Sequence, residues 1–141
     1  ATKAAIEEGV VAGGAIAFLR ARKVLDTLNP ESKDEQVGVE IIKSSLEQPL
    51  RWLAKNAGED DGYILNKVTN SKESDYGYNV LTGEFGSMTK FGILDPLKVT
   101  RSALQNAASV AMMVLTTECL VTDIKEEEDK KAPMHPGMED Y

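Results

Sequence analysis

Apolar positions recur at helical spacing over most of the chain, interrupted by short polar or glycine-rich breaks. Residues 1–8 are rich in helix formers and run into Gly9. This helix has almost no start signal, since only Thr2 offers a weak cap, and so abrupt an opening predicts a piece excised from a longer protein, the alternative being a complete domain with a trimmed end. Gly13 and Gly14 then precede the apolar stretch Ala15-Ile16-Ala17-Phe18-Leu19. That pattern predicts a second helix over residues 14–28, with Ile16, Leu19, Lys23 and Thr27 stepping round it, stopped by Asn29-Pro30. Ser32 and Glu35 have capping-box spacing, with Asp34 as a rival cap. The helix they open carries Val37, Ile41, Leu46, Leu50, Leu53 and Ala57 on its stripe and ends at Gly58, with a kink expected at Pro49.

Residues 59–68 predict a short amphipathic helix whose apolar face is Ile64, Leu65 and Val68. After a polar loop, Tyr76-Gly77-Tyr78-Asn79-Val80 turns through Thr82-Gly83 into Glu84-Phe85-Gly86-Ser87-Met88, which predicts a small β-hairpin. Asp95 and Pro96 stand where an N-cap and a first-turn proline belong. The helix that follows is apolar nearly all round over residues 107–115, which predicts burial on every side. Residues 119–124 have strand-like composition and predict an edge strand that needs a partner. Residues 125–141 combine a charge run with prolines and predict a disordered tail. The fold class is therefore mainly α, a helical bundle with a small β-hairpin and a C-terminal edge strand.

Composition narrows the function. The chain has 141 residues, enough for one domain, and carries 16 basic against 23 acidic side chains for a net charge of -7. An acidic surface argues against nucleic acid and anionic membrane as partners. The longest apolar run is far below the ~20 residues that a membrane helix needs. One cysteine, Cys119, points to a reducing compartment, and with a single histidine, His135, it leaves no basis for a structural zinc site or a Cys–His pair. An independent small enzyme has little support, because no acid–base set converges.

Three places offer other chemistry. Gly13-Gly14 at a helix start exposes backbone donors and lacks Cβ atoms, which suits an anion, although such pairs also serve as tight turns or hinges. Asp95 is either a helix cap or a carboxylate that accepts hydrogen bonds from a ligand hydroxyl. Asn79 is either a turn residue or a reader of an amide-bearing ring through paired donor and acceptor. The bland alternative to a nucleotide site is a non-enzymatic helical oligomerisation or interaction module, with Gly13-Gly14 as a hinge and Asp95 as a cap.

Four stretches occur in one order: AAIEEGVVAGG at 4–14, Tyr76-Gly77-Tyr78-Asn79, GILDPLKVTRSALQ at 92–105 and TTEC at 116–119. In these the chain resembles the C-terminal part of a group I (GroEL-type) chaperonin subunit. The resemblance implies that residues 1–8 end an intermediate domain and that residues 9–124 form the C-terminal half of an equatorial, ATP-binding domain. It also implies a function, the ATP-dependent encapsulation and refolding of non-native proteins. The partners it implies are identical subunits in a double heptameric ring and a co-chaperonin lid. Nucleotide contacts then fall on Gly14 (phosphates and ribose), Asn79 and Val80 (adenine), Ile93 (packing on the base) and Asp95 (ribose hydroxyls). The cofactor implied is ATP, with Mg2+ and K+ held mainly by an N-terminal half that this sequence does not contain. No catalytic residue and no metal ligand falls within it. The implied location is the bacterial cytoplasm, with a mitochondrial or plastid matrix as the alternative. Ala15 stands where a third glycine is common, Leu81 where a smaller alanine is usual, and the tail lacks Gly-Gly-Met repeats.

Overall fold

A computed structural model describes residues 1–123. The tail expected at 125–141 lies outside the described residues.

Helix α1 (Thr2–Glu8) opens at Ala1 with no side-chain cap and stops at Gly9, whose φ of 82° suits only glycine comfortably. Strand β1 (Val10–Ala12) follows. Helix α2 (Ile16–Ala21) is shorter than its sequence pattern, because residues Arg22–Thr27 tighten into a 3-10 helix before Leu28 becomes extended. Helix α3 (Lys33–Asn56) is capped by Ser32, whose hydroxyl accepts from the Glu35 amide at 3.2 Å. The Glu35 carboxylate reaches back to the Glu31 amide at 2.7 Å, one residue earlier than a standard capping box requires. The helix continues through Pro49 without a break. Asp60 caps helix α4 (Asp61–Thr69) by accepting from the Tyr63 amide at 2.7 Å.

The hairpin expected from the aromatic-glycine pattern forms between β2 (Tyr76–Asn79) and β3 (Glu84–Ser87), antiparallel, with Gly77 opposite Gly86. A second antiparallel ribbon was not foreseen. Strand β1 pairs with β4 (Leu94–Pro96) in the register Val10–Pro96, Val11–Asp95 and Ala12–Leu94. Helix α5 (Leu97–Thr116) leaves directly from β4.

The core lies where α2, α3 and α4 meet the hairpin. Ile16, Leu19, Leu50, Ala54, Ile64, Leu65, Val68, Tyr78 and Met88 form one buried cluster. All three residues of the predicted α4 face are in it. Around its edge, Glu47 pairs with both Arg22 and Arg51, and Arg51 also holds Asp61 at 2.9 Å, tying α3 to the start of α4.

Three expectations are corrected. Val37 and Ile41 are 58% and 59% exposed, so only the C-terminal half of α3 is core. No residue of α5 is buried. Among the described residues α5 packs mainly on α1 and β4, through its first turns, and a helix is buried only where neighbours cover it. The C-terminal edge strand does not form: residues 119–123 have no regular structure and Ile124 lies outside the described residues. A strand needs a neighbouring strand to satisfy its amides, and none lies beside this segment among the described residues.

Candidate functional site

The β1–β4 ribbon assembles much of the site. Beyond its last pair the Gly13 amide donates to the Ile93 carbonyl at 2.9 Å. A Cβ on Gly13 would meet the Ile93 carbonyl carbon, carbonyl oxygen and Cγ2, each at 3.1 Å. That approach is open to glycine alone without displacing backbone. Gly14 (φ 66°) and Ala15 (φ 65°) then take left-handed conformations before α2 begins. The ribbon thereby gathers Gly13, Gly14, Ile93 and Asp95 from segments 82 positions apart at the Ala12–Leu94 pair.

Asp95 is not a helix cap. The residue before α5 is Pro96, and no side chain caps the helix. Asp95 instead lies within β4, opposite Val11, with a half-buried side chain. Its carboxylate is thus available to a ligand in a way that the cap reading would have denied.

Asn79 serves in a turn: its Oδ1 accepts from the Leu81 amide at 3.0 Å and its carbonyl accepts from the Gly83 amide at 2.9 Å. One lone pair of Oδ1 is used, and the side-chain amide's two donors have no partner among the described residues. The turn reading of Asn79 holds, and its side-chain amide donors are unspent among the described residues. Val80 is 37% exposed beside it, and Leu81 points into solvent at 92% exposure.

Met88 joins these parts and was not singled out by sequence reasoning. It is fully buried. Its amide donates to the Asp75 carbonyl at 2.9 Å and its carbonyl accepts from the Ile93 amide at 2.9 Å. A Cβ on Gly14 would sit 3.4 Å from its sulfur, and one on Gly77 would sit 2.8 Å from its Cγ. Met88 thus fills the space between the Gly13-Gly14 turn and the hairpin. A lone methionine after a hairpin has no sequence signature, so only the packing reveals this role.

The ribbon is anchored outward as well. The Leu97 amide donates to the Gly9 carbonyl at 3.1 Å. Arg101 grips the Glu8 carboxylate with two parallel hydrogen bonds, 3.1 Å from Nε and 2.6 Å from Nη2, and Lys98 pairs with Glu7. The Arg101 hydrogen bonds hold the Glu8 carboxyl below its usual range. At the other end the Ser87 hydroxyl, and Thr89 beside it, lower the Asp75 carboxyl in the same direction.

The arrangement is an open wall. A groove of about 690 Å³ runs along α3, lined by Val37, Ile41 and their neighbours, and includes none of the site residues. Among the described residues no three His, Cys, Asp or Glu side chains converge to hold a metal ion, and no helix is long and apolar enough to cross a membrane. The wall presents backbone without Cβ atoms at Gly13 and Gly14, a half-buried carboxylate at Asp95 and a side-chain amide at Asn79.

A mainly helical unit with two small antiparallel ribbons is consistent with the equatorial-type domain of a chaperonin. The chain belongs to the TCP-1/cpn60 chaperonin family, whose pattern matches residues 1–125. Among solved structures it is similar to the open-state monomer of a group II chaperonin from Methanococcoides burtonii, with a TM-score of 0.69 and 27% identity. That match covers 77% of this chain and 28% of the group II chain, so the chain spans less than a third of that relative's length.

Proposed function

We propose that this chain supplies one wall of the ATP site, and part of the ring contacts, in a group I (GroEL-type) chaperonin subunit that encapsulates and refolds non-native proteins. The observation that carries the reading is the gathering of Gly14, Ile93 and Asp95 by the β1–β4 ribbon. Gly14 lets a phosphate approach the backbone. Asp95, free of capping, accepts from the ribose hydroxyls. Asn79 offers donors to the adenine edge, with Val80 beside it and Ile93 packing on the ring. ATP, when bound, supplies the energy of phosphoryl transfer; these residues hold and orient it. Transfer itself needs positioned metal and charge stabilisation, and Mg2+, K+ and the catalytic groups belong to the subunit's N-terminal half in this reading. The chain alone is therefore not an ATPase. Residues 1–8 end the intermediate domain and 9–124 form the equatorial half.

The group I assignment rests on the order and spacing of the four sequence stretches. A double heptameric ring, a co-chaperonin lid and a bacterial cytoplasmic location, or an organelle matrix, follow from the same assignment. The uncovered apolar surface of α5 is common ground with the alternative of a purely structural oligomerisation module. ATP turnover of the intact subunit with and without this segment separates the two. Loss of both nucleotide binding and turnover without it supports the proposal; undiminished ATP binding contradicts it.

A further inference from the structure

The Arg20 guanidinium is committed to main-chain oxygens. Nε donates to the Ser74 carbonyl at 3.0 Å, and Nη2 donates to the carbonyls of Glu73 at 2.7 Å and Val68 at 3.3 Å. Val68 lies in the last turn of α4, where the helix dipole favours a cation, and its carbonyl also accepts from the Ser71 amide at 3.3 Å. Glu73 and Ser74 lie in the loop that leads into β2. In an acidic chain, an arginine spent on three carbonyls instead of a carboxylate is fixing backbone.

The same face of α2 grips the hairpin a second time. Ile16, one turn before Arg20, packs so closely on Gly77 that a Cβ there would come within 2.8 Å of its Cγ1. The two grips define a direction. Moving from Arg20 to Ile16 leads toward Gly14, while moving from Ser74 to Gly77 leads toward Asn79. Helix and strand run oppositely, and Asn79 lies roughly 7 Å beyond Gly77 along the strand. On the hairpin side Gly14 meets Met88, just beyond β3, so the loop that Arg20 holds sets how the hairpin as a whole sits against the Gly13-Gly14 turn.

We infer that Arg20 is a positioning residue that sets the register of Asn79 and Val80 against Gly14, and so governs selectivity for the base of a bound nucleotide. This rests on the nucleotide reading above. Arg20 touches no nucleotide; it acts through the loop at 73–74. The residues assigned to phosphate and ribose sit on the β1–β4 ribbon, to which Arg20 makes no hydrogen bond. A brace with only a structural role would lower stability and leave the preference between bases unchanged.

The test uses the intact chaperonin subunit, as wild type, R20M and R20K. The first variant keeps the stem and removes the donors; the second keeps the charge but cannot span three carbonyls. Dissociation constants for ATP, GTP and inorganic triphosphate are measured by calorimetry at a temperature where each protein is folded. The expected result is a fall of about three- to tenfold in the ATP-over-GTP preference for R20M, a smaller fall for R20K, and unchanged triphosphate affinity. If R20M does not fold, R20K decides alone. A selective wild type with equally selective variants overturns the inference by itself. A wild type that binds ATP no better than GTP overturns the adenine reading and the inference with it.

Discussion

The Gly13 amide and the Ile93 carbonyl are joined at 2.9 Å, in a contact so close that a Cβ on Gly13 would stand 3.1 Å from Ile93 backbone atoms. This contact extends the β1–β4 ribbon by one step and sets the turn that opens α2. Gly13→Ala forces backbone apart, since neither the Ile93 carbonyl carbon nor its oxygen can rotate away. It is expected to destabilise the protein by ~1–3 kcal/mol. Chemical denaturation measures this, and a change below ~0.5 kcal/mol would show that the contact is loose.

Ala15 is the one non-glycine residue among those described with a left-handed backbone, at φ 65°. That conformation disfavours a Cβ by ~1 kcal/mol. Ala15→Gly is expected to relieve it, partly offset by the greater freedom of glycine in the unfolded chain, for a net gain of up to ~1 kcal/mol. A lower melting temperature for Ala15→Gly would show that the turn is not strained.

Met88 is fully buried between two glycines. Met88→Ala leaves a cavity at the joint of turn and hairpin and is expected to lower stability by ~2–5 kcal/mol. Met88→Leu, of similar volume, is expected to lower it by less than ~1.5 kcal/mol. Equal effects of the two substitutions, by denaturant titration, would contradict the packing role.

Stability is expected to fall in acid. Arg101 hydrogen bonds lower the Glu8 carboxyl, Arg51 lowers Asp61, and Ser87 lowers Asp75. Each is more acidic folded than unfolded, so each stabilises the fold above the unfolded carboxylate value, ~4, and that contribution is lost as the pH falls through the folded value. Melting temperatures from pH 7 to pH 3 are expected to drop most steeply below about pH 4.5. Arg101→Ala removes the Glu8 share and flattens that drop; an unchanged profile in the variant would place the acid sensitivity elsewhere.

Much of this fold is legible locally. Ser32 caps α3 as its spacing implies, and Ile64, Leu65 and Val68 enter the core as their period implies. The β1–β4 ribbon is not legible, because three-residue strands carry no periodicity and the partners are 82 positions apart at Ala12 and Leu94. Asp95-Pro96 spells a cap and a first-turn proline, yet strand pairing with Val11 takes Asp95 and moves the cap position to Pro96. Burial of α5 fails for a different reason. Its sequence records that an apolar helix wants neighbours, and the described residues supply them only at its first turns. The candidate site divides the same way: the local pattern flags Gly14 and Asp95 as ambiguous candidates, Ile93 comes only from the resemblance, and Met88 and Arg20 emerge only from packing.

The uncovered α5 has a consequence in solution. Val110, Met112, Met113, Val114 and Leu115 are all more than half exposed, an apolar surface that favours association. The isolated chain is expected to self-associate through it. Light scattering over a concentration series reads this, and a monomer at high micromolar concentration would mean that α5 is covered in solution.

The central claim, that this chain is one wall of an ATP site, is tested most directly at Asp95. The carboxylate caps no helix, so Asp95→Asn in the intact subunit is expected to leave the melting temperature nearly unchanged. ATP affinity, measured by calorimetry, is expected to fall about tenfold, as a charged hydrogen-bond acceptor to the ribose is lost. ATP affinity equal to wild type in the folded Asp95→Asn protein would contradict the account.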